Sequence, residues 1–182
     1  MLVRPLTITL MLSFCSFIIV AQETYQVEEY QVNFFIKNAG ITVEGRLDSL
    51  KAEVLFDYRE PSNSQIIASV APSTIQTGIK IRDKHLTRAD YFDVAQYPII
   101  SLRSLNFTQK DQQTLLGRFE LTIKNITQEI TMPISYFYSD DILRLEGTCT
   151  INRLDFGLGE ESLILADDVE LRLTANLKQL KI

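Results

Sequence analysis

The chain has 182 residues, of which 46% are hydrophobic and 23% are charged, and its formal net charge is −5 at pH 7. At about 150 residues per domain this length predicts one domain, and the composition excludes a disordered or fibrous chain. One histidine, two cysteines and no tryptophan disfavour zinc sites and most familiar enzyme classes, although chemistry based on carboxylates alone stays open. The acidic balance argues against nucleic acid as a partner.

The first segment has the three-part layout of a secretory signal peptide. Arg4 precedes the uncharged run from Leu6 to Val20, and Ala21 follows it, which predicts cleavage after Ala21. A spanning anchor is the less favoured alternative, because a spanning helix needs about 20 apolar residues. The predicted organisation is a signal peptide over residues 1–21 and one domain over residues 22–182. After cleavage we expect no stable insertion in a membrane, and a periplasmic or secreted location.

Beyond the signal, apolar and polar residues alternate along most of the chain, which is the pattern of half-buried strands. Their polar outer faces favour an antiparallel sheet that is covered on one side. Pro133 lies on the polar phase of its strand and indicates an edge or a bulge there. The eight predicted strands are Tyr30–Ile36, Leu50–Tyr58, Gln65–Ala71, Ile99–Phe107, Leu115–Ile123, Ile126–Ile134, Leu143–Ile151 and Val169–Leu177.

One segment breaks this alternation. Residues 83–95 place apolar side chains at roughly helical spacing behind Asp83, which is a good residue for a helix N-cap. They predict one short helical insertion between two groups of strands. About eight strands with one short helix fit an all-β fold, a closed or nearly closed antiparallel barrel. A barrel of this size can hold one small ligand.

Four stretches of the chain have the order and spacing of a known family. The stretch Thr74–Leu102 contains RDKHL, then the aromatic pair Tyr91-Phe92, then Tyr97-Pro98 before a hydrophobic strand. The other three are FFIKNAGITVEGRL (Phe34–Leu47), LLGRFELTIKNITQEITMPI (Leu115–Ile134) and INRLDFGLG (Ile151–Gly159). With these motifs the chain resembles the YceI-like family over nearly all of residues 24–180.

The resemblance implies an extended, lipocalin-like antiparallel β-barrel that is exported, usually to the periplasm. It also implies a non-enzymatic carrier that holds a long isoprenoid-type lipid, either a polyisoprenoid or an isoprenoid quinone, inside the barrel. The expected partner is therefore an apolar lipid, and no cofactor is expected apart from such a lipid. A homodimer is compatible with the sequence.

The predicted barrel lining is apolar and comes from the inward phase of the strands. Plain core packing is an equal alternative for each lining residue, because a small barrel also fills itself with side chains. A lipid tail would be bound mainly through buried apolar area, at about 25 cal/mol per Å². The predicted lining residues are Phe34, Ile36, Val54, Phe56, Phe119, Leu121, Leu171 and Leu173.

The polar candidates are few. Arg82 or His85 could meet a polar head group at the barrel mouth. In the alternative, Asp83 caps the helix while Arg82 and His85 pair with nearby carboxylates or carbonyls. Asp83 and His85 are two residues apart and do not share a helix face, so no metal pair is predicted. Arg153 is a further rim candidate, which we expect to pair with Asp155.

Two other functional classes remain open at this point. The first is a secreted structural or stress-related barrel without lipid, which side chains would fill completely. The second is a carboxylate-based hydrolase that would use Asp83 with Glu160 or Glu161, although the spacing identifies no catalytic residue. Cys149 lies on the apolar face of its strand and is expected to be inert core. A continuous apolar cavity would favour the carrier over both.

Overall fold

The computed structural model describes residues 23–57 and 60–180, so the predicted signal peptide lies outside the described residues. These residues form nine strands, one α-helix and three short 3₁₀ turns. The strands are β1 (Glu23–Asn38), β2 (Ile41–Arg46), β3 (Lys51–Phe56), β4 (Gln65–Val70), β5 (Ile100–Asp111), β6 (Thr114–Ile123), β7 (Ile126–Ser139), β8 (Ile142–Asn152) and β9 (Leu165–Gln179). The helix α1 (Lys80–Leu86) lies between β4 and β5.

The strands form one closed antiparallel barrel. From β3 to β9 each strand pairs with its neighbour in sequence, and β1 closes the ring by pairing with β9 along nearly its whole length. The other side of β1 pairs with β2 through residues 33–38 and with β3 through residues 23–25. Because β2 and β3 together occupy one position in the ring, eight strand positions surround the interior. The predicted all-β, lipocalin-like barrel with one short helix is confirmed.

Two elements differ from the prediction. Strand β2 was not predicted separately, because it is short and the inward position Gly45 carries no apolar side chain. The helix begins at Lys80, three residues before Asp83, and ends at Leu86, after which the chain continues in turns to Gln96. The predicted range of 83–95 therefore joined the second half of α1 to these turns.

The strand β7 has the edge that Pro133 indicated. It pairs with β6 from Ile126 to Ser135, but with β8 only from Ile134 onward. Pro133 is thus the last residue before the second ladder begins. A residue without an N–H is tolerated at such a position, so the predicted edge is confirmed.

The two ends of the barrel differ. The mouth end carries the β1–β2 turn, the segment between β4 and β5 (residues 71–99), the β6–β7 turn and the segment between β8 and β9 (residues 153–164). The closed end carries the β5–β6 and β7–β8 turns. Both ends of the described chain also lie at the closed end, where the N–H of Leu180 donates to the carbonyl oxygen of Thr24 at 2.9 Å.

Side chains fill the closed half of the barrel. Phe56, Phe119 and Leu143 are at most 1% exposed. The Phe119 ring meets the Phe107 ring edge to face, with their centroids 5.6 Å apart. A Cβ atom at Gly117 would lie 2.5 Å from the Phe119 ring, so this layer has no spare volume. Interiors packed in this way leave no room for a ligand.

Candidate ligand-binding cavity

The mouth half of the barrel holds an apolar cavity of about 640 Å³. This volume lies within the range of about 300–1,000 Å³ that small-molecule sites occupy. Residues of every strand except β3 form its wall, and the segment 71–99 covers it. The strand residues that line it include Ile36, Val43, Ala68, Leu102, Leu121, Met132, Cys149 and Leu171.

The cavity separates the predicted lining residues into two groups. Phe34, Ile36, Leu121, Leu171 and Leu173 border the cavity. Val54, Phe56 and Phe119 instead belong to the packed closed half and are at most 3% exposed. These three residues are packed in the core, which is the alternative that the sequence left open for each lining residue. The layer around Phe119 forms the floor of the cavity, and Leu121 begins its wall two residues further along β6.

The cover over the cavity comes from the segment 71–99. Ile75 is buried, and Leu86 and Phe92 pack against the barrel core. Leu158, from the segment between β8 and β9, completes this cover and is 7% exposed. Two contacts join the segments: the N–H of Gly159 donates to the carbonyl oxygen of Asp90 at 2.8 Å, and Lys124 donates to the carbonyl oxygens of Ala89 and Gly157. The cover is therefore part of the fold and not a loose loop.

Asp83 is not the N-cap of the helix, and that prediction is wrong. The capping position is Ile79, which makes no side-chain bond to the helix. Asp83 lies inside the first turn, where its Oδ1 accepts from the backbone N–H of Thr77 at 2.8 Å and from the Thr77 hydroxyl at 2.5 Å. The carboxylate therefore fixes the chain just before the helix, and the helix starts earlier than the sequence indicated.

Arg82 and His85 both border the cavity, and both have partners on their own segment. The Nε and Nη2 atoms of Arg82 donate to the hydroxyl and carbonyl oxygens of Thr77, each at 2.7 Å. The Nε2 atom of His85 lies 3.0 Å from Oδ2 of Asp90, and its ring meets the edge of Tyr91. This is the local pairing that the sequence offered as an alternative. Contact with a ligand head group stays a prediction for both residues.

Arg153 holds the segment between β8 and β9. It is 2% exposed, and its guanidinium donates to the carbonyl oxygens of Leu158, Glu160 and Ala166 at 2.7–3.0 Å. Its ion-pair partner is Asp167 at 2.8 Å, so the predicted pair with Asp155 is wrong. The 3₁₀ turn Arg153–Phe156 directs Arg153 inward and leaves Asp155 exposed.

The carboxylates that a hydrolase would need are either bonded to a neighbouring residue or exposed to solvent. Asp83 is engaged with Thr77, and Glu160 and Glu161 are exposed on the segment after the 3₁₀ turn. Within residues 23–57 and 60–180, no group of three His, Cys, Asp or Glu side chains could hold a metal ion. The same residues contain no helix that is long and apolar enough to cross a membrane.

Comparison with known proteins assigns the family. A family model described as the YceI-like domain matches residues 24–177. The chain belongs to the YceI-like family. A UPF0312 protein of Pseudomonas aeruginosa is 24% identical over 151 residues, which is 79% of this chain and 78% of the relative. Protein YceI of Escherichia coli O157:H7 is 28% identical over 102 residues, which is 56% of this chain and 53% of the relative.

Solved structures agree on the fold. BcnA of Burkholderia cenocepacia superposes with a TM-score of 0.80 at 20% identity, covering 83% of this chain and 99% of that chain. A polyisoprenoid-binding domain of Saccharophagus degradans superposes with a TM-score of 0.69 at 11% identity, covering 87% and 99% of the two chains. At these identities the likeness concerns the YceI-like barrel alone.

Cys149 is part of the cavity wall in this YceI-like barrel. Its side chain is buried, and burial raises the pKa of its thiol to about 11. Desolvation disfavours the thiolate, so the group is a neutral, apolar wall atom at neutral pH.

Gly45 leaves room for the ring of Phe34 on the cavity wall. The two residues face each other across β1 and β2, and a Cβ atom at Gly45 would lie 2.1 Å from Cζ of Phe34. We expect Gly45→Ala to move the ring into the cavity and to lower the free energy of unfolding by about 1–3 kcal/mol. Urea unfolding and titration with an apolar fluorescent dye measure the two effects.

The matched control for Gly45→Ala removes the ring that it displaces. In the background of Phe34→Leu, the added methyl group should cost little stability, because the shorter side chain leaves it space. The two substitutions should therefore be strongly non-additive in a double-mutant cycle. Additive losses would mean that Phe34 does not press on this position.

Proposed function

We propose that this YceI-like chain is an exported, non-enzymatic carrier that holds a long isoprenoid-type lipid, either a polyisoprenoid or an isoprenoid quinone, in the barrel cavity. The observation that carries the proposal is the apolar cavity of about 640 Å³ in the mouth half. A barrel that served only as a structural domain would be expected to fill this half as it fills the other. The polyisoprenoid-binding domain of Saccharophagus degradans, which has the same fold, supports this ligand class.

The wall chemistry suits a hydrocarbon chain. Burial of apolar area provides about 25 cal/mol per Å², and no charged group is needed along the tail. The basic side chains on the lining are Arg82, His85 and Arg153, all from the segments at the mouth end. In the proposed complex the tail points toward the Phe119 layer, and the head group lies near Arg82 and His85.

The proposed location is the periplasm or the extracellular medium. The sequence over residues 1–21 supports it, since its charged start, uncharged run and Ala21 have the layout of a signal peptide. Fractionation of cells that express the full chain, with mass determination of the secreted form, tests both the export and the cleavage after Ala21.

The lipid itself is tested by extraction of the purified protein and mass spectrometry. The wild-type protein should release an apolar isoprenoid species. Ala68→Trp should abolish this release, because Ala68 lines the cavity and an indole at this position would occupy it. The control is Ile67→Trp, since Ile67 is the neighbouring residue of β4 and its side chain is exposed on the outer face.

Both variants must fold for this comparison, and circular dichroism with urea unfolding checks that they do. Equal loading of the two folded variants would contradict the cavity as the site. A wild-type protein that yields no apolar species after expression in a host that makes isoprenoid lipids would contradict the carrier function.

A further inference from the structure

Exposed apolar side chains gather around the mouth of the cavity. Ile41 is 71% exposed, Ile81 85%, Leu163 fully and Ile164 64%. Together with Ile79 they come from three separate segments: the start of β2, the start of α1 and the segment before β9. We call these five residues the mouth ring.

One backbone hydrogen bond and the shared cavity wall bring the three segments together. The N–H of Ala39, in the β1–β2 turn, donates to the carbonyl oxygen of Ile164 at 2.7 Å. Ile79 and Ile81 border the same cavity as Asn38 and Leu165, which are paired across β1 and β9. The mouth ring therefore lies on the rim through which the apolar interior meets solvent.

Basic side chains accompany the mouth ring. Lys80 and Lys84 are one helical turn apart on α1, where Ile81 directly follows Lys80, and Lys37 precedes the β1–β2 turn. All three are exposed, and among the described residues none has an ion-pair partner. Glu160 and Glu161 are exposed on the third segment, so the basic side chains of the rim are those of α1 and β1.

We propose that the mouth ring docks on a lipid bilayer that contains anionic phospholipids. Apolar side chains on the tips of three loops can enter the boundary between head groups and acyl chains, where lysine side chains reach the phosphates. The docked ring would bring the cavity to the level of the acyl chains, so that an apolar ligand passes between bilayer and barrel without crossing water. The purpose of docking rests on the proposed carrier function, but the docking itself requires no bound ligand.

Flotation with vesicles of phosphatidylethanolamine and phosphatidylglycerol tests the proposal on the mature chain. The wild-type protein should float with the vesicles. The double variant Ile81→Asp/Leu163→Asp should bind them at least about tenfold more weakly, because it places two charges among the inserted side chains. Phe137→Asp is the matched control: Phe137 is 44% exposed but lies near the β7–β8 turn at the closed end, and this variant should float like the wild type.

A second pair of measurements separates the contribution of the lysines from failure of the carrier function. Lys80→Gln/Lys84→Gln should weaken binding to the anionic vesicles and leave any residual binding to phosphatidylcholine vesicles unchanged. Ala68→Trp should lose its extractable lipid and still float. If lipid is extracted from the wild-type protein but that protein does not float, the docking proposal is wrong while the carrier function stands.

Two further outcomes would overturn the docking proposal. In the first, Ile81→Asp/Leu163→Asp floats as the wild type does, or Phe137→Asp loses binding equally. In the second, the wild type does not float and the double variant converts a dimer to a monomer in size-exclusion chromatography, which would make a second copy of the chain the partner of the mouth ring.

Discussion

Phe119→Ala is expected to lower the free energy of unfolding by about 3–5 kcal/mol, and Leu121→Ala by about 2 kcal/mol or less. Phe119 is fully buried and its ring contacts Phe107 and the backbone at Gly117, so truncation leaves a new void. Leu121 borders a void that already exists, and its truncation removes fewer contacts. Urea unfolding of lipid-extracted protein measures both values.

Ligand loading should reverse this order. Leu121→Asp places a charge on the cavity wall and should abolish the extractable lipid, whereas Phe119→Ala leaves the wall apolar and should retain it. Leu121→Asn is the control for the charge, because the asparagine side chain has nearly the volume of aspartate and is neutral. Equal losses of stability for the two alanine variants would contradict the division of the barrel into a packed half and a hollow half.

The second large effect is expected at Arg153. Arg153→Ala should lower the free energy of unfolding by about 3–5 kcal/mol, because three carbonyl oxygens and Asp167 lose a charged donor. Arg153→Lys should recover only part of this loss, since one ammonium group cannot reach the separate acceptors that the planar guanidinium serves. The segment 157–167 should also become a site of limited proteolysis.

The control for Arg153 is Arg144→Ala. Arg144 forms an ion pair with Glu146 on the outer face of β8, and both side chains are nearly half exposed. Exposed pairs of this kind contribute about 0–1 kcal/mol. If Arg153→Ala unfolds at the same urea concentration as Arg144→Ala, Arg153 does not hold the segment between β8 and β9.

The strands were predictable because burial of one face imposes a period of two residues on the sequence. Strands β3, β4 and β6 to β9 follow that rule. In β5 a bulge between Ser104 and Asn106 shifts the phase, so that Phe107 is buried and Leu105 is exposed. Strand β2 does not show this period, because its inward face includes Gly45 in place of an apolar side chain. A glycine at this position leaves space for the ring of Phe34. The start of α1 is mispredicted for a different reason. Asp83 lies inside the helix and accepts from the backbone N–H of Thr77, which precedes the helix. In the sequence such an aspartate looks like an N-cap.

The extent of the cavity could not be read from local patterns. Phe119 and Leu121 lie on the same strand and face, and their sequence context is alike. What distinguishes them is the packing across the barrel, where Phe107 and Gly117 close one layer and nothing closes the next. Local patterns also could not identify the partner of Arg153. Asp167 is distant in sequence and comes close to Arg153 only when β9 pairs with β8.

The hydrogen bond between Leu180 and Thr24 has a practical consequence for handling the protein. Both ends of the described chain emerge side by side at the pole opposite the opening. A tag or a surface anchor attached at either end would therefore hold the barrel upright on a sensor chip, with its opening toward the solution. Two barrels joined through short linkers at these ends would stand back to back, each able to load and unload independently.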